Sequence, residues 1–172
     1  MKRFWTYAFV GFLFIIAGIY FSAQKSAPIP NQVNAADKLF VQSLPDLKGQ
    51  PQALKQWQGK PLLVNFWATW CAPCVEEMPE LSALQTEIAP KNIQIIGIGI
   101  DSADNIIEFS TKYKITYPLY VAGATGTGLM QGFGKSATGL PFTVLIGADG
   151  QIKKTYLGRL EMAEVRADLA AL

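Results

Sequence analysis

The sequence predicts an α/β sandwich built on a mixed β-sheet. Two near-continuous apolar runs, at residues 61–67 and 93–100, are typical of strands that are buried on both faces of a sheet. Apolar residues at helical spacing follow each run, and a hairpin and a last helix come after them. Because strands and helices alternate along most of the chain, we expect parallel strands joined by helices, with antiparallel strands added by the hairpin.

Strands and helical segments are predicted from residue 38 onward. The strands are expected at residues 38–44, 61–67, 93–100, 117–122, 142–147 and 151–157. The helical segments are expected at residues 53–58, 72–89, 105–114, 126–133 and 161–172. A turn is expected at residues 46–49, and Ala148-Asp149-Gly150 is a hairpin signal between the last two strands. Pro79 lies inside a helical segment and predicts a kink there.

The first 24 residues are predicted to be a membrane anchor. Residues 4–21 carry no charge, and about 18 apolar residues are enough to cross a bilayer as a helix. Lys2 and Arg3 precede this run, so the N-terminus is expected in the cytoplasm and the rest of the chain outside. Residues 25–37 are polar, small and proline-bearing, which indicates a flexible linker to a domain at residues 38–172.

A cleaved secretory signal peptide is the alternative to the anchor. Cleavage needs small residues in an A-x-A-like pattern after the apolar run, but Phe21-Ser22-Ala23 places a bulky side chain there. We therefore favour the uncleaved anchor in the cytoplasmic membrane. Both interpretations export the domain to the periplasm or cell exterior, where disulfides persist.

The chain has only two cysteines, Cys71 and Cys74, and no histidine. Haem attachment through Cys-x-x-Cys needs a histidine after the second cysteine, and that position is Val75. A structural zinc site needs about four soft or imidazole ligands, so two thiolates leave it incomplete. We therefore expect no metal and no organic cofactor, and the net charge of +2 gives no argument for nucleic acid binding.

A structural disulfide and a redox-active dithiol remain as explanations of the pair. A disulfide stabilises mainly by closing a loop, and a loop across two residues constrains little. Cys71 is expected at the N-terminus of a helix that starts at about Ala72, where backbone N–H groups and the helix dipole favour a thiolate. Cys74 would lie one turn on, facing inward, where it could attack Cys71 once that sulfur is bound to a substrate.

The residues around the pair resemble a known family. Trp70-Cys71-Ala72-Pro73-Cys74, after a strand that ends in Phe66-Trp67-Ala68, resembles the thioredoxin superfamily. The longer string WCAPCVEEMP resembles its membrane-anchored TlpA/ResA-like branch of thiol–disulfide oxidoreductases, and the resemblance extends from about residue 38 to the C-terminus. It implies a thioredoxin-like three-layer α/β/α sandwich, with an extra strand–helix insert at residues 117–133.

The resemblance also implies roles for individual residues. Pro141 stands where the family has a cis-proline facing the dithiol, which would expose the backbone of Leu140 to a substrate strand, and Trp70 is expected at the rim of this site. Glu77, three residues after Cys74, matches a glutamate implicated in tuning the dithiol, and a carboxylate there would raise the thiol pKa. The alternative for Glu77 is an acidic residue that stabilises the first turn of a helix.

Two other polar positions bear on the site. Asn65 departs from cytosolic thioredoxin, which has a buried aspartate there, so proton handling would have to come from Glu77 or water. Asp101 is expected to cap the end of a strand.

The resemblance implies an exported, membrane-tethered thiol–disulfide oxidoreductase in which Cys71 attacks and Cys74 resolves. It would reduce disulfides in exported proteins, with cytochrome c biogenesis as the candidate process, and would be reduced by a membrane thiol reductant of the DsbD/CcdA kind. Ala-Pro between the cysteines does not set the direction of electron transfer. The alternatives are a disulfide oxidase or isomerase of the same fold and, from another class, a tethered non-catalytic binding module with an inert disulfide.

Overall fold

The computed structural model describes residues 35–172. The predicted membrane anchor at residues 1–24 and most of the predicted linker at residues 25–37 lie outside this range. Within the range itself, no helix is both long enough and apolar enough to cross a bilayer. Residues 35–172 belong to one compact unit.

Seven strands and five α-helices are present in residues 35–172. The strands are β1 (Ser43–Pro45), β2 (Pro51–Ala53), β3 (Leu62–Trp67), β4 (Gln94–Gly99), β5 (Leu119–Val121), β6 (Phe142–Ile146) and β7 (Ile152–Leu157). The α-helices are α1 (Ala35–Phe40), α2 (Ala72–Ile88), α3 (Ala103–Tyr113), α4 (Thr125–Gln131) and α5 (Met162–Ala170). Short 3₁₀-helices follow β2 at Leu54–Trp57 and α2 at Ala89–Lys91.

Five of the strands form the central sheet, in the order β5-β4-β3-β6-β7. Strands β3, β4 and β5 are parallel, and α2 and α3 connect them. Strand β6 runs antiparallel to β3, and β7 runs antiparallel to β6. The predicted mixed sheet is therefore confirmed. Strands β1 and β2 form a separate two-stranded hairpin around the predicted turn at residues 46–49.

Helices cover both faces of the sheet, so every residue of β3 is buried. Leu63 and Trp67 of β3 belong to an apolar cluster that also contains residues of α2, α3 and α5. Val64 and Phe66 belong to a second cluster that contains residues of α1 and α4. The predicted three-layer arrangement is confirmed. Full burial of a large apolar side chain stabilises the folded state by about 1.5–3 kcal/mol. The buried side chains of β3 therefore hold this strand, and the start of the loop that follows Trp67, in a fixed position.

The first element was predicted wrongly. Residues 38–44 were expected to form a strand and residues 35–37 to belong to the linker, but Ala35–Phe40 is helical and the strand is limited to Ser43–Pro45. Ala36, Leu39 and Phe40 lie at helical spacing and bury one face of α1, which a strand could not do with these three residues.

The other predicted elements are confirmed within a few residues of their expected ends. Strand β5 and α4 fall within residues 117–133, where the resemblance implied an extra strand–helix insert. Helix α2 continues through Pro79 as one helix, and the kink there stays a prediction.

Candidate active site

The two cysteines lie at the start of α2 and are joined by a disulfide, with their Cα atoms 5.3 Å apart. Cys71 is the N-cap residue, and Ala72 is the first residue of the helix. Pro73 lies in the first turn, where its missing N–H group costs no helical hydrogen bond. The expected position of Cys71 at a helix N-terminus is confirmed.

The two sulfur-bearing residues differ in their access to solvent. Cys71 keeps 7% of its surface exposed in the disulfide form, whereas Cys74 is fully buried. Trp70 is 70% exposed, which agrees with its expected position at the rim, and Trp67 is fully buried in the core. The predicted order of exposure is confirmed, although Cys71 is less exposed than the sequence suggested.

The Leu140–Pro141 peptide bond is cis, as the resemblance implied. Phe142 of β6 pairs with Phe66 of β3, so the antiparallel register places Pro141 beside the end of β3 from which the cysteine loop departs. The carbonyl oxygen of Pro141 accepts a hydrogen bond from the N–H group of Gly158, at 2.9 Å. The binding roles assigned to Trp70, Leu140 and Pro141 stay predictions.

Glu77 lies one turn after Cys74 and is fully buried. Its Oε1 atom accepts a hydrogen bond from Asn65 Nδ2 at 2.7 Å, and its Oε2 atom accepts one from the Leu160 N–H group at 2.9 Å. Burial, opposed by these two hydrogen bonds, raises the pKa of Glu77 from 4.5 to about 7. A carboxyl group that titrates near neutrality beside a dithiol can hold or release a proton under working conditions.

The position of Glu77 argues against a simple stabilising role in the first turn of a helix. Such a role needs a carboxylate in that turn, and the first turn of α2 carries no acidic residue. Its neighbour Glu76 is exposed and instead pairs with Arg159, at 2.9 Å. Glu77 therefore carries a desolvation cost that a surface residue would avoid.

Two residues that contact the glutamates of α2, Leu160 and Arg159, were not predicted from the sequence. The loop after β7 supplies the Leu160 N–H group to Glu77, and Arg159 in the same loop joins Glu76 and Glu80 of α2. Neither contact has a local sequence signal, because the partners are about 80 residues apart.

Asp101 is more than the cap of a strand. Its carboxylate accepts hydrogen bonds from the backbone N–H group of Thr69, at 3.2 Å, and from the Thr69 hydroxyl. It also accepts hydrogen bonds from the Ser102 N–H group and the Asn105 side chain. Although burial opposes the change, these hydrogen bonds hold the pKa of Asp101 below its ordinary value. Asp101 thus fixes the segment that leads directly into Trp70 and Cys71.

The arrangement suits thiol–disulfide exchange. A thiolate at Cys71 would face the N–H groups of the first turn of α2, which lower a thiol pKa. Cys74 lies beneath it, within bonding distance. Residues 35–172 hold no group of three or more His, Cys, Asp or Glu side chains that could bind a metal ion.

Comparisons with known proteins agree with this geometry. Residues 24–169 match the family model described as Redoxin. The chain is 28% identical over 130 residues to the thiol-disulfide oxidoreductase ResA of Geobacillus thermodenitrificans. The aligned region covers 75% of this chain and 72% of that protein. It is 30% identical over 131 residues to the thioredoxin-like protein YneN of Bacillus subtilis, with 74% of each chain covered.

A solved structure is similar as well. The thiol:disulfide interchange protein of the thioredoxin family from Chlorobium tepidum superposes with a TM-score of 0.68 at 26% identity. The match covers 76% of this chain and 91% of that chain. The expected thioredoxin-like fold is therefore confirmed.

Proposed function

The chain belongs to the Redoxin family, within its TlpA/ResA-like thiol–disulfide oxidoreductases, and we propose that it reduces disulfides of exported proteins while tethered to the membrane. The observation that carries the proposal is the Cys71–Cys74 pair at the N-terminus of α2, with Glu77 buried one turn behind it. An ionised carboxylate near the pair disfavours the thiolate. Because stabilising the reduced form makes a dithiol pair a strong oxidant, disfavouring that form makes it a better reductant.

The reaction proceeds through two exchanges. The Cys71 thiolate attacks one sulfur of the substrate disulfide, so that a Cys71–substrate disulfide forms, the substrate S–S bond breaks and the released thiolate takes up a proton. Cys74 then loses its proton to Glu77 or water and attacks Cys71 Sγ, which forms the Cys71–Cys74 disulfide. The Cys71–substrate bond breaks, and the second substrate thiolate leaves and takes up a proton, equivalent to the one that Cys74 lost. The substrate gains two electrons and two protons, and the dithiol is oxidised to the disulfide seen in the structure.

The substrate would bind as an extended segment beside the dithiol. Its backbone would pair with Leu140, next to the cis peptide bond, in the manner of a strand added to an exposed edge. The exposed indole of Trp70 would cover apolar residues next to the substrate cysteine. Disulfides of exported proteins, including those of apocytochrome c during cytochrome c biogenesis, are the proposed substrates.

A membrane thiol reductant and the membrane itself complete the proposed cycle. A membrane thiol reductant of the DsbD/CcdA kind would reduce the Cys71–Cys74 disulfide by the same exchange in reverse, because continued turnover needs a source of electrons. The anchor at residues 1–24 would hold the domain in the cytoplasmic membrane near that reductant, with the catalytic domain on the periplasmic or outer side.

The membrane tether is tested with a variant in which a cleavable export signal replaces residues 1–24. The full-length protein is expected to stay with the membranes after an alkaline wash, and the shortened protein is expected in the soluble exported fraction, because residues 4–21 would provide the apolar contact with the bilayer. If the protein produced from the full sequence is instead recovered in the soluble fraction, with a new N-terminus near residue 24, the segment is a cleaved signal peptide.

The direction of electron transfer is tested by the reduction potential of the Cys71–Cys74 pair. Equilibration of the full-length protein with glutathione buffers is expected to give a value closer to the ~−270 mV of thioredoxin than to the ~−120 mV of DsbA. Glu77→Gln is expected to make the pair more oxidising, since it removes the negative charge that disfavours the thiolate. A wild-type potential near that of DsbA would show an oxidase or isomerase.

A further inference from the structure

The loop between β7 and α5 contacts two parts of the active site within three residues. The Gly158 N–H group donates a hydrogen bond to the carbonyl oxygen of Pro141 at 2.9 Å, directly after the cis peptide bond. The Leu160 N–H group donates a hydrogen bond to Glu77 Oε2, also at 2.9 Å. This loop therefore joins the cis-proline segment to the buried glutamate of α2.

Arg159 lies between these two contacts and binds α2 through both terminal nitrogens of its guanidinium group. Nη1 donates to Glu76 Oε2 at 2.9 Å, and Nη2 donates to Glu80 Oε1 at 2.7 Å. Glu76 and Glu80 are four residues apart, so they lie on the same face of the helix, one turn from each other. Arg159 therefore spans the turn of α2 that contains Glu77.

The two ion pairs of Arg159 are open to solvent. The side chains of Arg159, Glu76 and Glu80 are 47%, 59% and 43% exposed. Ion pairs with this exposure add little to the stability of a whole fold. A local role, in which Arg159 fixes the place where the loop meets α2, explains the arrangement better than a contribution to global stability.

The peptide group that joins Arg159 to Leu160 carries the N–H group bonded to Glu77. On one side of this peptide group, the Leu160 side chain is buried in the apolar cluster that contains both cysteines. On the other side, Gly158 has a φ of 87°, a conformation that suits glycine, and it has no side chain that could pack. The ion pairs of Arg159 therefore hold this second side of the peptide group to α2.

We propose that Arg159 is a positioning residue, whose two ion pairs with α2 hold the Leu160 peptide group in hydrogen-bond contact with the Glu77 carboxylate. Its consequence for catalysis rests on the proposed function, in which Glu77 accepts the proton that Cys74 loses. A hydrogen bond to the ionised carboxylate favours that form. By keeping this bond formed, Arg159 limits how tightly Glu77 holds the proton, so that the proton can be released again near neutral pH.

Other groups act on the Glu77 carboxyl and have to be kept constant in a test. Burial is the main cause of its raised pKa, and the hydrogen bonds from Leu160 and Asn65 lower the pKa. The charge of Arg159 also lowers this pKa, whereas that of Glu80 raises it. The remaining titratable groups around Glu77 and Arg159 are Cys71, Cys74, Glu76, Tyr117 and Glu161. Oxidised protein removes the cysteines from the titration, because a disulfide does not ionise.

The first test follows the exchange of the Leu160 amide hydrogen in the oxidised full-length protein. Arg159→Gln removes both ion pairs, so the hydrogen bond to Glu77 is expected to open more often and the amide to exchange about threefold faster or more. The rate is compared with those of the amides of β3, which report global unfolding. A Leu160 rate that stays in constant proportion to the β3 rates would overturn the proposal.

Arg159→Lys separates positioning from charge, because it keeps the positive charge and replaces the two-nitrogen fork by a single ammonium group. The pKa of Glu77 is followed by the ¹³C shift of its side-chain carboxyl carbon and assigned with Glu77→Gln. It is expected to rise by about 0.3 pH units or more in Arg159→Lys, since the bond from Leu160 that lowers it is weakened. A pKa that rises in Arg159→Gln but not in Arg159→Lys would show that only the charge acts, and would overturn the positioning role.

Arg166→Gln is the matched control. Arg166 on α5 pairs with Glu87 of α2 at 2.9 Å, with a side-chain exposure of 46% that is close to that of Arg159. Its loss is expected to change neither the relative exchange rate of Leu160 nor the pKa of Glu77, and a response equal to that of Arg159→Gln would contradict a specific role. Both measurements use oxidised protein without substrate, so their outcome is independent of the direction of electron transfer.

Discussion

Replacement of Cys71 by serine is expected to abolish disulfide reduction, with a loss of about a thousandfold or more in turnover. A serine hydroxyl is not ionised near neutral pH and is a poor nucleophile toward a disulfide, whereas the Cys71 sulfur lies at the N-terminus of α2, where a thiolate is favoured. The measurement is the rate of reduction of a model protein disulfide by the fully reduced full-length protein.

Cys74→Ser is the matched control, because it makes the same change of sulfur to oxygen and also removes the internal disulfide. It is expected to keep the first attack, by Cys71, at a rate similar to that of the wild-type protein, and to stop after one exchange. A Cys71→Ser variant that attacks the substrate as fast as Cys74→Ser would show that the roles of the two cysteines are reversed or shared.

The second large effect concerns the pH dependence of stability. The pKa of Glu77 is raised from 4.5 in the unfolded chain to about 7 in the folded protein, mainly because the carboxyl is buried. Between these values the folded protein keeps a proton that the unfolded chain has lost, so stability falls as the pH rises through this window. The contribution of Glu77 to stability is fully present below about pH 4.5, and this contribution, about 3 kcal/mol, is lost by the time Glu77 is ionised in both states.

Urea unfolding of the oxidised protein from about pH 4 to about pH 8 measures this effect, with Glu77→Gln as the comparison. The difference in unfolding free energy between the two proteins isolates Glu77, because the surface aspartates titrate alike in both. The variant is expected to lack the loss across the window, even if its overall stability differs. Parallel curves for the two proteins would contradict the raised pKa.

The active-site segment could be predicted from sequence because its signals are local. Cys71, Pro73 and Cys74 lie within about one helical turn of each other and follow shortly after a buried strand, and the helix N-terminus follows from that order. The cis peptide bond before Pro141 was also predicted, but only through the family resemblance, since nothing local in Gly139-Leu140-Pro141 requires it.

The environment of Glu77 could not be predicted in the same way. The spacing from Cys74 placed the carboxyl near the dithiol, but its burial depends on Leu160, which is 83 residues away in the chain. The burial of Tyr117 likewise depends on the packing of the segment before β5 into the apolar cluster that contains Trp67. Contacts between distant segments set these properties, and no periodicity in the sequence reports them.

The error at residues 38–44 has a related cause. Phe40 and Val41 favour a strand by their side-chain types. In the structure, Leu39 and Phe40 are buried by α1 against the sheet while Val41 is 78% exposed, so packing overrides the local preference.

Covalent capture of substrate tests most directly the claim that Cys71 attacks and Cys74 resolves. Full-length Cys74→Ser and Cys71→Ser proteins would each be produced in an exporting cell, and their mixed disulfides isolated under acid quench and identified by mass spectrometry. The account predicts exported proteins bound through Cys71 in the Cys74→Ser variant, and none in the Cys71→Ser variant. Equal capture by both variants, or capture by neither, would contradict it.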